Sequence, residues 1–143
     1  MIIDLDNTLV AWGAEEIPYR LKEWVGALKN DSFRLCLVSN AKVSRARQMG
    51  EDLGLPVVAP ALKPIHKPFK RGLKCLGLPA EEVAVVGDQI FTDVLGGNRM
   101  GLYTILVDPI SQQEFIGTRF VRRIEKLFGF REIFVERKKR DES

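Results

Sequence analysis

Two carboxylates one residue apart, Asp4 and Asp6, close the apolar stretch Met1-Ile2-Ile3. In an extended strand side chains alternate faces, so Asp4 and Asp6 share one side while Leu5 turns to the other. Like charges held this close repel, and a cation, a shared proton or a strong donor set must offset the repulsion. Mg2+ suits the task, because it takes one or two carboxylates and keeps its other positions for water and phosphate oxygens. A carboxylate so placed can also be a nucleophile that is phosphorylated and then hydrolysed. The same residues spell an ordinary turn, since Asp-Asn bends the chain with no chemistry attached. In isolation the stretch fits both readings.

A second acidic cluster separates them. Val83-Ala84-Val85-Val86 is a continuous apolar run, the mark of a strand buried on both faces of a parallel sheet. It leads into Gly87-Asp88-Gln89-Ile90-Phe91-Thr92-Asp93, which brings two more acids to a strand's carboxyl end. Between the clusters, Ser39-Asn40 closes the strand Leu35–Val38, and Lys67-Pro68 stands ahead of the next helix. Such groups, each at a strand end or just before a helix, converge in the crevice where open α/β sheets bind ligands.

This ordered set, Asp4-Leu5-Asp6-Asn7-Thr8, Ser39, Lys67 and Gly87-Asp88 with Asp93, resembles the four motifs of the haloacid dehalogenase-like (HAD) phosphohydrolases. The run Asp88 to Arg99 further resembles the YqeG-like group of subfamily IIIA, related to phosphatidylglycerophosphate phosphatases. The resemblance implies a three-layer, Rossmann-like sheet and a Mg2+-dependent phosphomonoester hydrolase. Asp4 would be the nucleophile and a metal ligand. Asp6 would be the general acid and base, touching the metal through its backbone carbonyl. Asp88 would complete the metal's protein ligands, with Thr8 and Asp93 supporting from behind. Ser39 and Asn40 would bind the substrate phosphate, and Lys67 would neutralise charge on the phosphoryl group and on Asp4. Lys63 is the alternative for that lysine, since it also precedes a proline. His66, the single histidine, is expected to face solvent. The second acid, Asp6, sets the chain apart from dehalogenases.

The elements needed to place these groups can be read from periodicity. Pro18 suits a helix start, and Leu21, Trp24, Val25 and Leu28 recur at helical spacing, which predicts Trp24 in the core and Trp12 packed in the preceding loop. Val43 to Leu53 reads as a helix stopped by Gly54, and Leu55 to Ala59 as a third strand. Pro60, Pro64 and Pro68 predict an extended loop presenting Lys63, His66 and Lys67, followed by a helix from Phe69 to Leu76. Asp93 to Met100 is expected to be helical, its Gly96-Gly97 allowing close packing, and Tyr103 to Val107 to form the fifth strand. Alternating strands and helices predict a five-stranded parallel sheet with helices on both faces. Neither the connection after the first strand nor the one after Ser39 has room for a cap domain. The first strand has a short lead of three residues, which reads either as a truncated or misassigned start or as a genuine stub.

A chain of 143 residues is expected to form one domain over 1–143. With 45% hydrophobic residues, no span-length apolar stretch and an amino terminus that runs straight into acids, it reads as a cytoplasmic protein. Cys36 and Cys75 both fall in core-like patterns, which argues against a disulfide. The net charge of +3 is unevenly placed, with arginines and lysines crowding residues 112–143. That extension has basic and apolar sides, and either caps the sheet edge or lies on an anionic membrane surface as a peripheral contact. No motif specifies a nucleic-acid partner or an oligomeric state. The competing function is a non-catalytic docking protein on the same fold, which would have no need to keep a repulsive acid cluster.

Overall fold

The computed structural model describes residues 1–63 and 65–111, so the basic extension over 112–143 lies outside the described residues. The strands are β1 (Ile2–Ile3), β2 (Cys36–Val38), β3 (Val57–Val58), β4 (Ala84–Gly87) and β5 (Tyr103–Leu106). They form one sheet in the order β3-β2-β1-β4-β5, and every neighbouring pair is parallel. The two-residue β1 is central: Ile2 pairs with Cys36 on one side and Val85 on the other, and Ile3 with Leu37 and Val86. The helices are α1 (Tyr19–Asn30), α2 (Val43–Leu53), α3 (His66–Leu76) and α4 (Leu95–Arg99). A π-helical turn over Ile90–Val94 feeds α4.

Strand alternation splits the core in two. Ile2, Cys36, Val38 and Val85 face a cluster that holds Phe69 and Leu76 of α3. Ile3 and Leu37 face the opposite cluster, with Val25 of α1 and Met49 and Leu53 of α2. The sheet is therefore the middle of three layers. Gly96 and Gly97 permit this on the α4 side, because a Cβ would lie 2.4 Å from the Phe69 ring at the first and 2.4 Å from Val85 at the second. Two basic side chains close helix ends: Lys29 Nζ donates to the Leu53 and Gly54 carbonyls, and Arg34 Nη1 to Leu76. Among the described residues no inserted cap domain interrupts the connections, and no helix is long and apolar enough to cross a membrane.

Three expectations need correction. Trp24 is 44% exposed, beside Val25, which alone on α1 is fully buried, and Trp12, in the loop before that helix, is 39% exposed. Cys75 is exposed while Cys36 is buried, and both are free; burial, then the nearby Cys75, pushes the Cys36 thiol up to about 12. Finally, α3 begins at His66, three residues before the expected Phe69. Pro68 falls in its first turn, where a missing N–H leaves no helical bond unmade.

Candidate active site

The chain winds in opposite directions from β1, through β2 and β3 on one side and β4 and β5 on the other. This switch point opens a crevice beyond the carboxyl ends of β1 and β4. Asp4 follows β1 directly, its N–H donating to Val86 O at 2.9 Å, and Asp88 follows β4. The π-helical turn brings Asp93 back towards β4, and Gly87 leaves the space it needs. A Cβ at Gly87 would stand 2.1 Å from the Asp93 carboxyl carbon. Asp4, Asp88 and Asp93 are buried, and each offers a carboxylate oxygen, all within 4.8 Å of one another.

The lysine in this cluster is Lys63. Its Nζ donates to Asp4 Oδ1 at 2.7 Å and to Asp93 Oδ1 at 2.5 Å, with side-chain exposures of 3% for the lysine, 7% for Asp4 and 1% for Asp93. Lys67, expected in this place, is exposed on the first turn of α3 beside the exposed His66. The reason lies in the loop after β3. Ala61 N–H donates to Ser39 O at 2.9 Å, and Lys63 N–H to Asn40 Oδ1 at 3.0 Å, so the end of β2 holds the loop over the crevice. Leu62 takes a left-handed conformation (φ 54°) between these anchors and is exposed, while Lys63 turns inward.

Burial alone would depress the Lys63 ammonium, but Asp4 and Asp93 outweigh it and hold the group above the usual lysine range. Asp93 is pushed up to about 7, by burial first and also by Asp4 and Asp88, against the pull of Lys63. One ammonium stands against three carboxyl groups in this cluster. Clustered carboxylate oxygens with residual negative charge are a donor set that suits a hard divalent cation.

The remaining expected residues surround this centre. Thr8 Oγ1 donates to Asp88 Oδ1 at 3.3 Å. Ser39 is buried and its Oγ accepts the Ala41 N–H at 3.1 Å, which leaves the hydroxyl proton to donate. Asn40 spends its carbonyl on Lys63, and its amide nitrogen keeps its donors. Asp6 stands outside the carboxylate cluster, because β1 ends at Ile3 and strand alternation no longer governs it. Its carboxylate pairs with Arg45 at 2.8 Å. Arg45 carried no signal in the sequence, since its partner lies 39 positions away. Asn7, also unremarked as a site residue, takes φ 59° and accepts from Ser111 N–H and Oγ at 3.0 and 2.8 Å, tying the chain after β5 to the loop after β1.

Known proteins share both sequence and architecture with this chain. A family model described as HAD-hydrolase-like matches residues 61–109. The probable phosphatase YqeG of Bacillus subtilis (strain 168) is 42% identical over 126 residues, covering 88% of this chain and 73% of that protein. Phosphatidylglycerophosphate phosphatase 1, chloroplastic, of Chlamydomonas reinhardtii is 32% identical over 144 residues, and the chain spans only 51% of its length. Among solved structures, a HAD phosphatase from Thermococcus onnurineus gives a TM-score of 0.57 at 20% identity, over 80% of this chain and 59% of that one, a likeness of fold. Ordered acids at two adjacent strand ends, on a sheet of this order, agree with that kinship, and the chain belongs to the HAD-like hydrolases, in the phosphatase family that includes the Bacillus subtilis protein.

Proposed function

We propose that the protein is a Mg2+-dependent phosphomonoester hydrolase that works through an aspartyl-phosphate on Asp4. The observation that carries this reading is the buried Lys63 ammonium between Asp4 and Asp93, beside Asp88, at the carboxyl ends of the two central strands. Asp4, Asp88 and the Asp6 carbonyl would hold Mg2+, which when bound neutralises charge on phosphoryl oxygens. Asp4 attacks phosphorus, the bond to the leaving oxygen breaks, and Asp6 gives that oxygen a proton. Water then attacks phosphorus as Asp6 takes its proton, which frees inorganic phosphate and restores Asp4. Lys63 aims Asp4 and offsets charge on the transferring group, while Asp93 orients Lys63. Ser39 and the Asn40 amide donate to phosphate oxygens, and Thr8 braces Asp88.

A crevice with no inserted cap among the described residues suits a large ester presented at a membrane surface. The name of the Chlamydomonas relative makes phosphatidylglycerophosphate the candidate lipid. The test is Mg2+-dependent phosphate release from that lipid in detergent micelles, from small sugar phosphates and from p-nitrophenyl phosphate, with Asp4→Asn as control. Release that Asp4→Asn abolishes supports the hydrolase, and preference for the lipid supports the substrate. No release from folded, Mg2+-loaded protein contradicts the reading and favours a docking protein that keeps the fold.

A further inference from the structure

Arg45 belongs to the first turn of α2, but its guanidinium reaches the loop after β1. Nη1 lies 2.8 Å from Asp6 Oδ1 and 2.9 Å from Oδ2, and Nε donates to the Ala14 carbonyl at 2.9 Å. Gly13 N–H donates to Asp6 Oδ1 at 3.2 Å. These contacts close a ring: one loop supplies Asp6 near its start and Gly13-Ala14 further on, and Arg45 ties both to α2. The guanidinium is planar, so fixing Nε on Ala14 also fixes the direction in which Nη1 meets Asp6. The third nitrogen, Nη2, is buried with no hydrogen-bond partner among the described residues.

The geometry points to Arg45 as a positioning residue for the proton transfers of Asp6, an assignment that rests on the hydrolase reading above. In the first step the Asp6 proton passes to the leaving oxygen as the ester P–O bond breaks and the bond from Asp4 to phosphorus forms. In the second, the attacking water gives its proton to Asp6 as the Asp4–phosphorus bond breaks. Both transfers need the carboxyl group aimed at one point, although an aspartate side chain left to itself samples several rotamers. A single guanidinium nitrogen shared between the two oxygens sets the direction of the carboxyl, and because Oδ1 also accepts the Gly13 N–H, Oδ2 is the oxygen with a lone pair left for the proton. Arg45 acts through Asp6 and does not touch the substrate.

The test compares phenyl phosphate with p-nitrophenyl phosphate, which share a shape but differ in how much the leaving oxygen needs a proton. The full-length wild type, Arg45→Met, Arg45→Lys, Asp6→Asn and the Arg45→Met/Asp6→Asn double variant are assayed on both. In Arg45→Met, kcat/KM on phenyl phosphate, which reports the ester-cleaving step, is expected to fall roughly 10- to 100-fold, the scale of a misplaced general acid, with a much smaller fall in kcat/KM on p-nitrophenyl phosphate. Arg45→Lys, which keeps the charge and loses the fork, recovers part of the loss; it also carries the test should Arg45→Met fail to fold. On the Asp6→Asn background Arg45→Met adds nothing. Unchanged kcat/KM on phenyl phosphate, equal losses of kcat/KM on both esters, additive losses with Asp6→Asn, or a rise in KM with kcat intact on both esters overturns the assignment. An active wild type that Asp4→Asn silences, combined with any of these, rejects the role of Arg45 alone. A wild type inactive on both esters rejects the hydrolase reading and this assignment with it.

Discussion

Asp4 and Asp6 share one short loop and end in opposite surroundings. Asp4 is locked against Lys63 in a dry cluster. Asp6 meets Arg45 where both side chains are about one-fifth exposed, at 21% and 20%. The difference matches the work proposed for each. A nucleophile gains from being held rigid where its charge is matched, whereas an acid and base must exchange protons with a leaving group and with water. It also separates the energetics, because removing one partner of a buried ion pair strands a charge, while a partly exposed pair is screened by water.

The largest effect that sharpens this contrast is expected from Lys63→Met. It leaves Asp4 and Asp93 buried together without their ammonium, at a cost of about 3–5 kcal/mol in urea unfolding of the metal-free protein. Mg2+ should restore part of that stability. A loss under 1 kcal/mol would show that the cluster is wetter than described.

Gly87→Ala probes the same cluster from the backbone side. The added Cβ collides with the Asp93 carboxyl, and overpacking of this kind costs about 1–3 kcal/mol by the same unfolding measurement. The pH response should also mark the dry site. Asp93 is raised to about 7 in the folded state from 3.8, so the folded protein binds the extra proton between those values. Stability of the metal-free protein should therefore fall as pH rises from about 4 to about 7. The stabilisation by Mg2+ should grow over the same range, as protons cease to compete for the carboxylate. Thermal melts with and without Mg2+ at both ends of that range check the sign. The smallest effect belongs to the wetter pair: Arg45→Met should cost about 1 kcal/mol or less in stability, whatever it does to turnover.

Much of the frame was legible because it rests on local rules. The helix Val43–Leu53 ends at a left-handed Gly54 as its pattern requires, and the apolar run into Gly87 became β4, beside the central β1. Gly96-Gly97 do allow close packing, although a π-helical turn precedes α4 where a continuous helix was expected. The choice between Lys63 and Lys67 was not legible, since each precedes a proline. It depended on where α3 starts and on the Asn40 side chain that anchors the loop. The surroundings of Asp6 were hidden for a similar reason. Strand alternation predicts that it shares a face with Asp4, but β1 stops at Ile3, and the partner of Asp6 comes from a helix far along the chain.

The most direct measurement is Mg2+-dependent phosphate release by Lys63→Met and Lys67→Met beside the wild type, with p-nitrophenyl phosphate as substrate. If Lys63 holds the nucleophile, Lys63→Met should lose roughly a hundredfold or more in kcat, as expected when a charge-stabilising donor is removed, while Lys67→Met keeps wild-type turnover. Loss confined to Lys67→Met, with Lys63→Met fully active, would contradict the site described for this protein.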